Sequence, residues 1–104
     1  MKNELKESFQ EMFDIAHKAG MDAIEGATDG YPCGFAWVRI RSGRGNFPKW
    51  LKETGQGSKN HNGGMRISAH CDFQNMYVRE SYCTAFRDVL RDNGIECIVE
   101  SRID

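Results

Sequence analysis

Apolar side chains recur every three or four positions at the start of the chain: Leu5, Phe9, Met12, Ala16, Ala19, Ala23 and Ala27. That period predicts an amphipathic helix over residues 3–27, with Glu4, Glu7, Glu11, Asp14, Lys18, Asp22 and Glu25 on its solvated side. Asn3 is a candidate cap, and Gly20, costing about 1 kcal/mol inside a helix, marks a kink or an early stop. After the turn cluster Thr28-Asp29-Gly30-Tyr31-Pro32 the period changes to two. Residues 34–41 alternate as a strand, with Ala36, Val38 and Ile40 on one face and Phe35, Trp37, Arg39 and Arg41 on the other.

Asn46 can cap a short second helix, with Pro48 in its first turn, Phe47, Trp50 and Leu51 on one side and Lys49 and Lys52 outward. Residues 55–64 hold no apolar side chain and read as a mobile loop. A second strand over 65–71 alternates Met65, Ile67, Ala69 and Cys71 with Arg66, Ser68 and His70. A third helix over about 75–93 buries Val78, Tyr82, Ala85, Phe86, Val89 and Leu90, and Asn93-Gly94 stops it. The last strand, 95–102, places Ile95, Cys97 and Val99 opposite Glu96, Ile98, Glu100 and Arg102.

The order α-β-α-β-α-β predicts a two-layer α+β domain, a three-stranded sheet with helices on one face. The second strand, third helix and last strand fit a right-handed crossover unit. A sheet of this kind leaves an edge through which two copies can pair as a homodimer. The 104 residues support one core, so 1–104 is a single domain. No apolar run is long enough to span a bilayer, and the polar opening Met1-Lys2-Asn3-Glu4 lacks the apolar core of a secretion signal, which predicts a cytoplasmic protein without a membrane partner.

The net charge of −1 hides a segregation. Residues 1–37 carry −4, residues 38–71 carry +6 and residues 72–104 carry −3. The basic third holds Arg39, Arg41, Arg44, Lys49, Lys52, Lys59 and Arg66 against Glu53 alone, with six glycines that let backbone approach a ligand closely. Guanidiniums beside an indole hold phosphate and stack bases, so nucleic acid or a nucleotide is the partner this chemistry fits. Trp37 and Trp50 are the candidate stacking rings. Arg39, Arg41, Arg44 and Arg66 are the candidate phosphate contacts, with Lys49, Lys52, Lys59, His61 and His70 around them and the 55–64 loop closing over the ligand. The same residues also read as a solvated surface neutralised by the acidic flanks, with Phe35 and Trp37 covered by the second helix.

Catalytic signals are thin. There is no Gly-x-x-x-x-Gly-Lys-Ser/Thr phosphate loop, no other cofactor motif and no Cys-x-x-Cys pair among Cys33, Cys71, Cys83 and Cys97, which read as reduced, buried thiols. Cys33, His61, His70 and Cys71 are the only conceivable metal set, and strand neighbours His70 and Cys71 point to opposite faces. A nucleophilic pair of Cys33 with His61 or His70 requires a proximity that spacing does not supply.

The segments Cys33-Gly34-Phe35-Ala36-Trp37-Val38, Phe47-Pro48-Lys49-Trp50-Leu51-Lys52, Gly63-Gly64, Ala85-Phe86-Arg87-Asp88-Val89-Leu90 and Ser101-Arg102-Ile103-Asp104 resemble those of a set of short uncharacterised proteins of phage and prophage genomes. The resemblance covers about residues 32–104 and implies an accessory protein acting in a bacterial cytoplasm, where such proteins bind a nucleotide signal or inhibit a host or defence protein. It transfers no site residue. The expectation is therefore a non-enzymatic module for an anionic partner. The alternatives are a host-protein inhibitor and, third, a thiol or metal enzyme.

Overall fold

The structure is a computed structural model that describes residues 1–104. The elements are α1 (Asn3–Ala23), β1 (Gly34–Ile40), α2 (Asn46–Thr54), β2 (Ser58–Lys59), β3 (Met65–Ser68), α3 (Met76–Asp92) and β4 (Cys97–Ile103). The α+β class and the helical layer follow the hydrophobic pattern, but the sheet has four strands, not three, in the order β2-β3-β1-β4. All neighbours are antiparallel. The additional strand, β2, lies inside the segment expected to be a mobile loop. Its two residues carry no apolar signal, and it forms because the chain doubles back on β3, with Ser58 opposite Arg66 and Lys59 opposite Met65.

The predicted crossover is also altered. β3 and β4 run parallel on either side of α3, but β1 lies between them and bonds antiparallel to both. From β1 onward this is the split β-α-β connectivity of ferredoxin-like sheets, preceded by one extra helix. β1 is thus central. Its even residues Ala36, Val38 and Ile40 are buried under the helices, and its odd residues face away from them.

The core joins those residues to Met65, Ile67, Tyr82, Cys83, Phe86, Leu90 and Cys97. A cluster of edge-to-face aromatic contacts (Phe9 with Phe47, Phe13 with Trp50 and with Phe86) seats α1 on α2 and α3. Phe13 and Ile24 are buried although they fall off the predicted apolar stripe. The first helix ends at Ala23, four residues early, because Ile24 turns inward. Gly20 does not stop it. A Cβ there would stand 2.6 Å from the Tyr82 ring, so glycine is what lets α1 and α3 approach. Neither Asn3 nor Asn46 caps by its side chain; the cap positions are Lys2 and Gly45. The cap that does form is on α3, where Asn75 accepts from the Val78 N–H. Asp29 accepts the N–H groups of Gln74 and Asn75, and these bonds hold its carboxyl below the usual carboxylate range. Gly94, with φ of +81°, ends α3 as the sequence indicates.

Gly64 has φ of +78°, and a Cβ there would fall 2.0 Å from the Ile40 carbonyl oxygen. Gly94 has a similar φ and open space around it. Urea unfolding should therefore show Gly94→Ala losing about 1 kcal/mol, the cost of the left-handed backbone alone, and Gly64→Ala losing clearly more, about 3 kcal/mol. Equal losses would mean that the chain relieves the Gly64 contact by moving.

Candidate functional site

Helices cover one side of the sheet only. The aromatic side chains of α2 pack on α1, on the helical side, so α2 does not cover Trp37. The other side carries Phe35, Trp37 and Arg39 from β1, Arg66 and Ser68 from β3, and Ile98, Glu100 and Arg102 from β4. Registry brings them together: Trp37 lies opposite Ser68 on one flank and Glu100 on the other, and Arg39 opposite Arg66 and Ile98.

Glu100 organises the centre. One carboxylate oxygen accepts the Trp37 Nε1–H at 2.9 Å and the other an Arg39 Nη1–H at 3.2 Å. Arg39 and Glu100 keep only 21% and 26% of their side-chain surface exposed, so the pair is shielded from solvent more than a surface bridge. Arg39 also donates to the carbonyls of Asn62 (2.6 Å) and Gly63 (3.1 Å), which fixes the 60–64 turn. Inside that turn Asn60 is buried and bonds Gly63 and Gly64. The segment expected to close over a ligand as a mobile loop is thus bound into the sheet.

The Arg66 guanidinium stacks over the Trp37 ring at 4.0 Å and forms no ion pair with a carboxylate. Phe35, 38% exposed, has two more guanidiniums near its ring, Arg102 at 5.3 Å and Arg79 at 5.6 Å from the centroid. Arg79 is held by the carbonyls of Phe73 and Gly34. The face is an open array of rings and guanidiniums. A small hollow of about 150 Å³ is lined by Phe35 and Arg79 together with Cys33, Gly34, Gln74 and Asp104, and Trp37 and Arg66 do not line it.

Only part of the expected set converges here. Trp37, Arg39 and Arg66 meet. Arg41 lies past the end of β1, 3.8 Å from Glu96, in an exposed pair that adds little. Arg44 and His61 are exposed, and neither has a side-chain contact with Trp37, Arg39 or Arg66. Trp50 is 2% exposed, locked between Phe9, Phe13 and Phe47, so it cannot stack a ligand. Lys49 and Lys52 are exposed on α2, the helix whose aromatic side chains pack on the helical side of the sheet. Lys59 lies opposite Met65, on the helical side of the edge. His70 leaves the face because the strand ends at Ser68, and its ring rests on Phe13 instead. Phe35, Glu100 and Arg102 belong to the site and were not among the expected contacts. Their alternation was visible, but the adjacency of β4 to β1 was not.

Cys83 and Cys97 are buried, whereas Cys33 and Cys71 are half-buried, contrary to the expectation for those two. Burial pushes the Cys83 thiol up to about 12. Cys33 approaches Gln74, not a histidine. No three His, Cys, Asp or Glu side chains converge as a metal set. No helix is long and apolar enough to cross a membrane. No protein-family model, curated protein or solved structure matches the chain.

Two outcomes follow from these contacts. Arg39→Ala removes three hydrogen bonds and leaves Glu100 without its cation, while Glu100→Gln keeps an acceptor for Trp37. Urea unfolding should rank Arg39→Ala, at about 2–3 kcal/mol, above Glu100→Gln, at about 1 kcal/mol. Burial, and secondarily His17, holds His70 below its ordinary value of 6.5. The unfolded chain then binds that proton first, so the stability His70 contributes is present above pH 6.5 and lost as pH falls through and below it. A His70→Gln variant should show a flatter midpoint from pH 7 to 5 than the parent; an unchanged slope would assign the loss to other groups.

Proposed function

We propose that the protein binds single-stranded nucleic acid on the open face of its sheet. The observation that carries this is Arg66 stacked on Trp37, on an uncovered face, with no carboxylate of its own. A base can stack on the outer plane of that guanidinium or replace it on the indole, and the half-exposed Phe35, with Arg79 and Arg102 near it, offers a second position. Four-stranded sheets that bind single-stranded RNA stack bases on aromatic rings of such a face, though architecture alone does not define function. Here β1 supplies the rings, and the other central strand, β3, supplies Arg66 and Ser68. Glu100 is the one carboxylate at the centre, and both of its oxygens are engaged by the protein's own donors. An open sheet face favours a strand over a free nucleotide, which needs an enclosing pocket. In keeping with the resemblance to phage and prophage accessory proteins, we propose that it acts in a bacterial cytoplasm.

A second reading, inhibition of a host protein, draws on the outer surface of α1, where Ile15 and Met21 are exposed among carboxylates. Capture of a stoichiometric protein partner that survives nuclease treatment would favour it.

Fluorescence anisotropy with labelled single-stranded DNA and RNA, from about 50 to 200 mM salt, tests the first reading. Trp37→Ala should weaken binding about tenfold with the salt slope unchanged. Arg66→Ala should weaken it and lower the slope by about 1. Absence of binding at the lowest salt would overturn the proposal.

A further inference from the structure

The sheet has two unlike edges. β2 is two residues long, whereas β4 is a seven-residue strand paired on one side only. The hydrogen-bond phase of β4 follows from the Asp104 N–H, which donates to the Cys33 carbonyl just beyond the strand. In an antiparallel ladder bonded positions alternate, so Ile98, Glu100 and Arg102 turn their backbone groups toward β1. Cys97, Val99, Ser101 and Ile103 turn theirs outward. The Cys97 carbonyl is already taken by the Arg91 side chain at 2.9 Å. Val99, Ser101 and Ile103 are left as a run of outward donors and acceptors. Long open edges of this kind invite another strand.

We infer that this edge pairs with β4 of a second copy of the chain, antiparallel and centred on Ser101. The phase and the side chains select that register. It uses the three free residues, with Ser101 opposite its own mate and Val99 opposite Ile103 twice, and it leaves Cys97 out. On the open face it sets Glu100 opposite Arg102 twice, and on the helical face it covers Ile103, which is 61% exposed. Shifting the centre to Glu100 sets two like carboxylates opposite each other and requires the occupied Cys97 carbonyl. Shifting it to Arg102 opposes two guanidiniums. The helices fit as well. α3 lies over both β1 and β4, and with strands about 4.8 Å apart the two α3 axes come about 10 Å from each other, a normal packing distance. The exposed Tyr77 lies on the stripe of α3 that carries Glu80 and Arg91 over this edge, and the second α3 would cover it. The two Glu80 carboxylates beside the axis oppose the contact, and its area is small, so the dimer is weak. The two open faces merge into one eight-stranded surface, but the pairing does not depend on nucleic-acid binding.

Sedimentation equilibrium of the protein alone, from about 10 µM to 1 mM, tests this. The expected result is a reversible monomer–dimer equilibrium within that range. Ile103→Lys, at an exposed position, and Ser101→Pro, which removes an outward N–H together with the hydroxyl that donates to Glu80, should each shift the midpoint at least tenfold toward monomer with the circular dichroism spectrum unchanged. Under mild oxidation Ser101→Cys should cross-link to its mate, and Ile103→Cys should not. A protein that stays monomeric at 1 mM overturns the proposal, as does a dimer that persists in both Ile103→Lys and Ser101→Pro.

Discussion

Glu100 stands where three parts of the molecule must agree. It belongs to β4, it accepts from the indole and a guanidinium of β1, and through Arg39 it reaches the carbonyls of the turn that leads into β3. Without that carboxylate, Trp37 would keep a half-buried N–H with no acceptor, and Arg39 would be a poorly solvated cation with only two carbonyls. With it, one charge is neutralised and the ring is anchored by its N–H. The other face of the Trp37–Arg66 stack is left for something outside the protein. The chemistry proposed for the open face therefore depends on an internal ion pair that itself contacts no ligand.

The central position of β1 makes this arrangement possible. Bonded on both sides, it presents Ala36, Val38 and Ile40 to the helices and Phe35, Trp37 and Arg39 to solvent. Burial of the first set supplies the hydrophobic stabilisation, about 25 cal/mol for each Å² removed from water. That stabilisation leaves the second set free to be polar and aromatic. The helical layer achieves its density by close approach, with Gly20 against the Tyr82 ring. The Tyr82 hydroxyl is bonded there to His17, and burial pushes its pKa up. His70 belongs to this layer, which explains its loss from the site: the strand ends two residues before it, and the chain bends under the sheet.

Periods of two and near four were enough to place every substantial helix and strand and to assign both faces of β1, because burial depends directly on alternation. What they could not supply was adjacency. Glu100 and Arg102 were visible on one face of the last strand, but nothing local says that this strand lies beside β1. The charge count gathered Lys49, Lys52, Lys59, Arg44 and Arg66 as one basic region, and folding sent them to different surfaces. β2 was illegible because two polar residues carry no period; they pair because Gly64, Asn60 and Arg39 shape the turn before β3. Trp50 was ambiguous by sequence, since an indole beside lysines fits a stacking ring and a core residue equally. The aromatic side chains of α1 decide for the core.

The two tryptophans give the sharpest test of where a ligand sits. In a ¹H–¹⁵N NMR titration with a short single-stranded oligonucleotide, the Trp37 indole N–H should shift progressively, together with backbone signals of β1, β3 and β4, while the Trp50 indole stays in place. A titration in which Trp37 is unmoved and the shifts fall on the helices, or in which nothing moves, would contradict the role given to the open face.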